Sequence, residues 1–250
     1  MKKKKFINYI NAAALVLTIA VNFLANYLPI NNLKTGEVSQ LYQNPFTPAG
    51  YTFSIWGVIY LLLIIFIIFQ FRGKDKINDY FSTGPYFVLA SAANICWIFA
   101  WHYKKIYLSF IFIIILLLSL FKLFIRTYEY KNYSVMEYIS IKLPFSVYTA
   151  WASIASIANL MVLLKYINSS WPNSFFLFSA LAGILTGLYI TIKIMQKYHS
   201  KAFALVVIWA FSGIISAQIE LTNPALIIII TALISITVIT ITIINDISFK

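Results

Sequence analysis

Long apolar runs with few or no charges recur along the whole chain. A helix needs about twenty apolar residues to cross the hydrocarbon core of a bilayer, so each run predicts one membrane-spanning helix. The runs are continuous, whereas the strands of a membrane β-barrel alternate apolar and polar residues. The sequence therefore predicts an all-α, polytopic membrane bundle of about eight transmembrane helices. The predicted spans are 6–30, 51–71, 85–102, 106–126, 143–164, 175–194, 203–220 and 224–245.

The boundary between the last two predicted spans is the weakest. Only the segment ELTNP separates them, but Pro224 and its polar neighbours favour a tight turn between two helices. A count of seven spans is the alternative.

Composition supports a membrane protein, since 61% of the residues are hydrophobic, 10% are charged and the mean hydropathy is +0.84. So little polar surface could not cover a water-soluble globule. The net charge of +12 comes from short loops beside the spans, where membrane topology and anionic lipid explain it. We therefore expect membrane lipid as a partner and no nucleic acid.

Basic residues orient the predicted spans, because cytoplasmic loops hold Lys and Arg in excess. In the predicted topology only Lys34, Lys104, Lys105 and Lys165 lie on the outer side. Both termini are then cytoplasmic, and the start MKKKKF leads into an uncleaved first helix rather than a signal peptide. Abundant Ile, Lys, Asn and Tyr are typical of an AT-rich genome, which points to a microbial cell (plasma) membrane.

The sequence gives no support for the usual catalytic or metal chemistries. Cys96 stands alone, and His102 and His199 fall on opposite faces of the membrane in this topology. The phosphate-binding loop, the nucleophile elbow of hydrolases and the zinc-protease motif are all missing from the sequence. We expect no catalytic residue, no metal site and no required cofactor, and an enzyme is the less favoured interpretation.

Aromatic side chains recur at helical spacing within three spans. Phe53, Trp56 and Tyr60 lie at i, i+3 and i+7 and share one face of the second span. In the predicted topology the third and fifth spans carry similar residues at the same depth, in the middle to outer part of the membrane. These are Asn94, Trp97 and Trp101 in the third span and Trp151 and Asn159 in the fifth, where Tyr148 lies on the neighbouring stripe of the helix.

Two interpretations of these residues remain open. Trp and Tyr often anchor helices at the membrane interface, and a lone intramembrane Asn often serves only to join two helices. Tyr51, Trp101 and Trp171 lie near span ends and are the expected interface anchors. The deeper residues suit either helix packing or a pocket for a hydrophobic small molecule.

The segment before the second span is rich in helix-breaking residues. Pro45, Pro48 and Gly50 prevent a helix there, so the loop of residues 31–50 is expected to fold over the outer end of the bundle as a lid.

Three motifs in order, FTPAGYTFSIWGVIY, NICW and WASIASIAN, are similar to the TspO/MBR family of tryptophan-rich sensory proteins and translocator (peripheral benzodiazepine receptor) proteins. The resemblance covers residues 1–165 as a five-helix domain and leaves 166–250 as three additional transmembrane helices. The sequence departs from the family pattern at three points. Ala49 replaces a second proline, and Trp56 lies one residue closer to Gly50 than is usual in the family. Pro144 lies earlier relative to Trp151 than the family's proline does.

The resemblance implies a pocket under the first extracytoplasmic loop that binds a planar hydrophobic ligand, such as a porphyrin, haem or sterol, for sensing or transport. The implied ligand-binding residues are Pro48, Gly50, Phe53, Trp56, Tyr60, Asn94, Trp97, Tyr148, Trp151 and Asn159. Tryptophan faces suit planar rings, and an amide orients a ligand in an apolar cavity.

The last three spans add two features. Gly183 and Gly187 form a G-x-x-x-G motif, which brings helices close together within one chain or between two copies in a homodimer. Glu220 lies at the outer edge of the seventh span, as a solvated helix end or as a coupling acid. The alternative function is a secondary transporter or permease for a small substrate.

Overall fold

The computed structural model describes residues 2–28, 30–72, 83–130 and 133–248, and these are helical with short connections. Lys74, Lys76, Lys131 and Lys250, which the predicted topology places on the cytoplasmic side, lie outside the described residues. The described part contains nine helices: α1 Lys2–Tyr27, α2 Thr35–Leu41, α3 Ile55–Arg72, α4 Tyr86–His102, α5 Ile106–Glu129, α6 Leu143–Ile167, α7 Asn173–Tyr198, α8 Lys201–Ile219 and α9 Leu226–Ser248. The predicted all-α, polytopic membrane fold is confirmed.

Seven helical segments in the described part of the chain are long and apolar enough to cross a membrane. The helix that falls short of this count is α4, which is apolar but only 17 residues long. Pro85 precedes its first residue, and Lys104, with φ 57°, lies just beyond its last, so the chain stops the helix at both ends. The expected eight spans thus become seven full-length spans and one shorter apolar helix.

The chain divides into two units. The first unit contains the described residues up to Thr35 together with Ser54–Ala152. Within it, α4 packs against α1 and α5, and α1 packs against α3. The rings of Phe66, Phe87 and Phe145, from α3, α4 and α6, form its buried centre, with ring centroids 4.9 Å apart for Phe66 and Phe145.

A π-helical stretch, Tyr138–Lys142, leads into α6. Pro144 has no N–H to donate to the preceding turn, and the backbone N–H of Leu143 reaches the carbonyl of Tyr138 instead. The π-helical turn therefore accommodates the proline, and α6 continues through Trp151 to Ile167.

The second unit contains Gly36–Phe53 and the described residues from Ser153 onward. Within it, α9 packs against α7 and α8, and α7 packs against α8. At one end His199 and Lys201 both contact the carboxylate of Asp246 in α9, with Lys201 Nζ 3.5 Å from Asp246 Oδ2. These contacts join α9 to the connection between α7 and α8.

The G-x-x-x-G motif of α7 packs within the chain. A side chain on Gly183 would begin 2.9 Å from Ile157 and 3.0 Å from the ring of Phe46. A side chain on Gly187 would begin 3.0 Å from Phe211 and 3.1 Å from Ile154. Both glycines thus let neighbouring groups of the second unit approach α7 closely.

Candidate ligand site

An aromatic cluster in the first unit is centred on Trp56, which lies in the first turn of α3. Its ring centroid lies 5.8 Å from Tyr60, 5.9 Å from Trp97, 5.7 Å from Tyr148 and 6.2 Å from Trp151. Tyr60 stacks on it, whereas Tyr148 and Trp151 present their edges, both of which are favourable arrangements for aromatic pairs. The structure therefore brings together five of the predicted site residues from three helices. We call these five residues the Trp56 cluster.

Trp101 extends the cluster along α4. It stacks on Trp97 at 5.9 Å, and its indole N–H donates to the carbonyl of Thr35 at 3.0 Å. Only 3% of its surface is exposed, so Trp101 is buried and is not the interface anchor that its position near a span end suggested. The hydroxyl of Thr35 also lies 3.2 Å from Nε2 of the buried His102.

Asn94 joins three helices behind the rings. Its carbonyl oxygen accepts a 2.6 Å hydrogen bond from the amide of Asn22 in α1, and its own amide donates to the hydroxyl of Tyr148 at 3.1 Å. Asn22 also donates to the carbonyl of Thr18 within α1. Asn22, which is buried, was not among the predicted site residues. The sequence signal that could have identified it is an Asn within an apolar span.

The hydroxyl of Tyr60 differs from those polar groups. Its oxygen is buried and has no hydrogen-bond partner among the residues that the structure describes. Tyr60 lies four residues after Trp56 on the same face of α3, with its ring stacked on the indole. A buried donor is therefore present at the Trp56 cluster, and no residue that the structure describes accepts from it.

The other predicted site residues, Pro48, Gly50, Phe53 and Asn159, lie in the second unit. Phe53 packs against Gly36, with its ring 3.6 Å from the point where a side chain on Gly36 would begin. Asn159 is buried and donates to the carbonyl of Ala155 within α6 at 2.9 Å. Their assignment to a ligand site stays a prediction.

The proline-rich segment, residues 45–52, is hydrogen-bonded to α8. The N–H of Ala49 donates to the carbonyl of Gly213 at 2.9 Å, and the indole N–H of Trp209 donates to the carbonyl of Thr52 at 3.0 Å. The hydroxyl groups of Tyr51 and Ser216 are 3.0 Å apart. These three contacts on both sides of Gly50 tie the segment to α8, through residues that the sequence motifs had not assigned to the site.

Gln218 completes this attachment from the end of α8. Its amide nitrogen donates to the carbonyl of Pro45 at 3.1 Å, and its amide oxygen accepts from the N–H of Ala225 at 3.1 Å. Glu220, the candidate coupling acid of the transporter alternative, is exposed at the C-terminal end of the same helix.

The helices and the Trp56 cluster define a polytopic helical membrane protein with a tryptophan-rich aromatic cluster between its helices. A protein-family model described as "TSPO-like protein" matches residues 8–245. The chain belongs to the TSPO-like protein family, and the match includes the last helices as well as the three sequence motifs. Comparisons with curated proteins and with solved structures found no match.

Replacing Asn94 with leucine is expected to lower the free energy of unfolding in detergent by about 1 kcal/mol, because it removes two interhelical hydrogen bonds. The matched control is Asn26→Leu, since Asn26 is exposed on α1 and bonds only within its own helix through the carbonyl of Asn22. Thermal unfolding of both variants checks the prediction. Equal stability of the two variants would contradict a joining role for Asn94.

Proposed function

We propose that this membrane protein binds a planar hydrophobic ligand of the porphyrin, haem or sterol type at the Trp56 cluster, for sensing or transport. The observation that supports this most strongly is the contact of one indole with four other aromatic rings from three helices. Several indole and phenol faces within one region suit a flat ring system, which gains from stacking as well as from burial.

The polar groups of the site support the same proposal. Tyr148 and Asn94 are buried and are held in fixed positions by the hydrogen bonds that begin at Asn22. Side chains that are locked by such bonds lose little freedom when a ligand binds, so they orient a ligand at small entropic cost. Tyr60 supplies a donor that no described residue occupies.

The membrane setting follows from the family and the spans, and its details are part of the proposal. We place the protein in the cell membrane with both termini on the cytoplasmic side, because the predicted outer loops carry few Lys and Arg residues. Lipid covers the apolar outer faces of the helices. Assembly as a homodimer and the lid role of residues 31–50 stay predictions.

Titration of detergent-purified protein with protoporphyrin IX, followed by tryptophan fluorescence, tests the proposal. We expect the quenching to be saturable. The apparent affinity for protoporphyrin IX should fall at least about fivefold in Trp56→Phe, Trp97→Phe and Trp151→Phe, since each change removes stacking area. Trp171→Phe is the matched control, because Trp171 lies in the second unit and packs against Phe175.

Two outcomes would count against this function. Quenching that rises without saturation would indicate partition into the detergent micelle. Saturable quenching that is equally affected by the Trp171 control and the three cluster variants would place the bound porphyrin elsewhere on the protein.

A further inference from the structure

Building on the proposed ligand site, we propose that the ligand presents a neutral hydrogen-bond acceptor, such as a ketone, ester or amide carbonyl, to the hydroxyl of Tyr60. This narrows the ligand class from any flat hydrophobic molecule to one with a neutral acceptor, so protoporphyrin IX, whose carbonyl groups are carboxylates, serves as a probe of the ring contacts and is not the preferred ligand. The inference depends on three properties of the Trp56 cluster: a buried donor with no partner among the described residues, a second hydroxyl donor on a ring that contacts the same indole, and side chains that are all neutral.

The first donor is the hydroxyl of Tyr60. Buried polar groups in folded proteins nearly always have a hydrogen-bond partner, and an exception requires an explanation. The hydroxyl oxygen of Tyr60 is buried and has no such partner among the described residues, although the Tyr60 ring is held by stacking on Trp56. A ligand acceptor at this point would satisfy the hydroxyl.

The second donor is the hydroxyl of Tyr148. The carbonyl oxygen of Asn94 is taken by Asn22, so Asn94 faces Tyr148 with its amide nitrogen, which can only donate. The oxygen of Tyr148 is therefore an acceptor in that bond, and its own proton points elsewhere. Tyr60 and Tyr148 both contact Trp56, at centroid distances of 5.8 Å and 5.7 Å. The site thus offers two hydroxyl donors, each on a phenol ring that contacts the same indole.

The third property is that every side chain of the Trp56 cluster is neutral. Trp56, Trp97 and Trp151 carry no charge, and neither do the two phenols and Asn94. A carboxylate buried against these groups would lose its hydration without meeting a cation, which is unfavourable. A hydrocarbon would leave the hydroxyl groups without an acceptor. A neutral acceptor avoids both penalties.

Three probes that share one planar ring system test the inference. They are pyrene, which has no acceptor, 1-acetylpyrene, which has a neutral carbonyl, and 1-pyrenecarboxylate, which is charged. Each is titrated into the full-length protein in detergent, and energy transfer from tryptophan reports binding. The variants are Tyr60→Phe and the control Tyr51→Phe, whose hydroxyl lies in the second unit beside Ser216.

We expect 1-acetylpyrene to bind most tightly, and Tyr60→Phe to weaken its binding about fivefold, as loss of one hydrogen bond does. Pyrene should bind Tyr60→Phe at least as tightly as the unaltered protein, because it makes no bond to the hydroxyl, and this result also shows that the variant keeps the site intact. Tyr51→Phe should change none of the three affinities.

The failure of this inference and that of the proposed function give different results. If neither protoporphyrin IX nor any pyrene probe binds saturably, the proposed function is wrong. If the probes bind saturably but Tyr60→Phe leaves the ratio of 1-acetylpyrene to pyrene affinity unchanged, the hydroxyl contact is wrong and the ligand site stands. Carboxylate binding as tight as ketone binding would likewise overturn the requirement for a neutral acceptor.

Discussion

Replacing Gly213 with alanine is expected to lower the free energy of unfolding by about 2 kcal/mol, because overpacking of a tight contact typically costs this much. The new methyl group would lie 2.1 Å from Oγ1 and 2.9 Å from Cγ2 of Thr52, which is buried. Relief of that clash requires the segment around Thr52 to move away from α8, which strains the bond from Ala49 to the Gly213 carbonyl. Thermal unfolding in detergent measures the loss.

Two further variants make the Gly213 experiment specific. A side chain on Gly57 meets no atom within 4 Å, so Gly57→Ala should be neutral or slightly stabilising in its helix. In the double variant with Thr52→Ala, the two closest atoms are removed and part of the stability should return. If Gly213→Ala were as stable as Gly57→Ala, the close attachment of this segment to α8 would be wrong.

Replacing Trp56 with alanine is expected to destabilise the protein by about 3 kcal/mol, the lower end of the usual cost of truncating a large aromatic side chain, because Trp56 is half-buried. The change removes four ring contacts at once, whereas Trp56→Phe keeps an aromatic ring and should cost less. Thermal unfolding of both variants, compared with Trp171→Ala in the second unit, checks the prediction.

The Trp56 and Trp171 variants also compare a ring with four aromatic contacts to a ring with two. Equal destabilisation by Trp56→Ala and Trp171→Ala would mean that the four ring contacts of Trp56 contribute no more than the two that Trp171 makes with Phe175 and Phe176. A larger loss in Trp56→Ala, with an intermediate value for Trp56→Phe, is the result that the Trp56 cluster predicts.

Periodicity predicted part of the candidate site. Trp56 and Tyr60 lie one turn apart on a single helix, so their shared face follows from helix geometry alone. Trp97 and Trp151 were predicted at a similar depth in the third and fifth spans, and the structure places both against Trp56. Phe53 was placed on the same face, but it lies in a 3₁₀ turn that ends at Ser54, before the α-helical period begins.

Long-range partners could not be predicted in this way. Asn22 and Asn94 are 72 residues apart, and Gln218 and Pro45 are 173 residues apart. The local sequence pattern of a helix does not indicate which other helix it packs against. The sequence motifs therefore could not indicate that α8 binds the proline-rich segment.

The sequence by itself determined the class of this protein. The length of the apolar runs, the scarcity of charges within them and the helical spacing are local properties, and they decide whether a segment can cross a membrane. Tertiary structure alone decided which polar groups are satisfied. Asn94 is bonded on both sides, whereas the hydroxyl of Tyr60 has no partner among the residues described by the structure. Hydrogen bonds between helices require distances and directions that arise only when the helices pack.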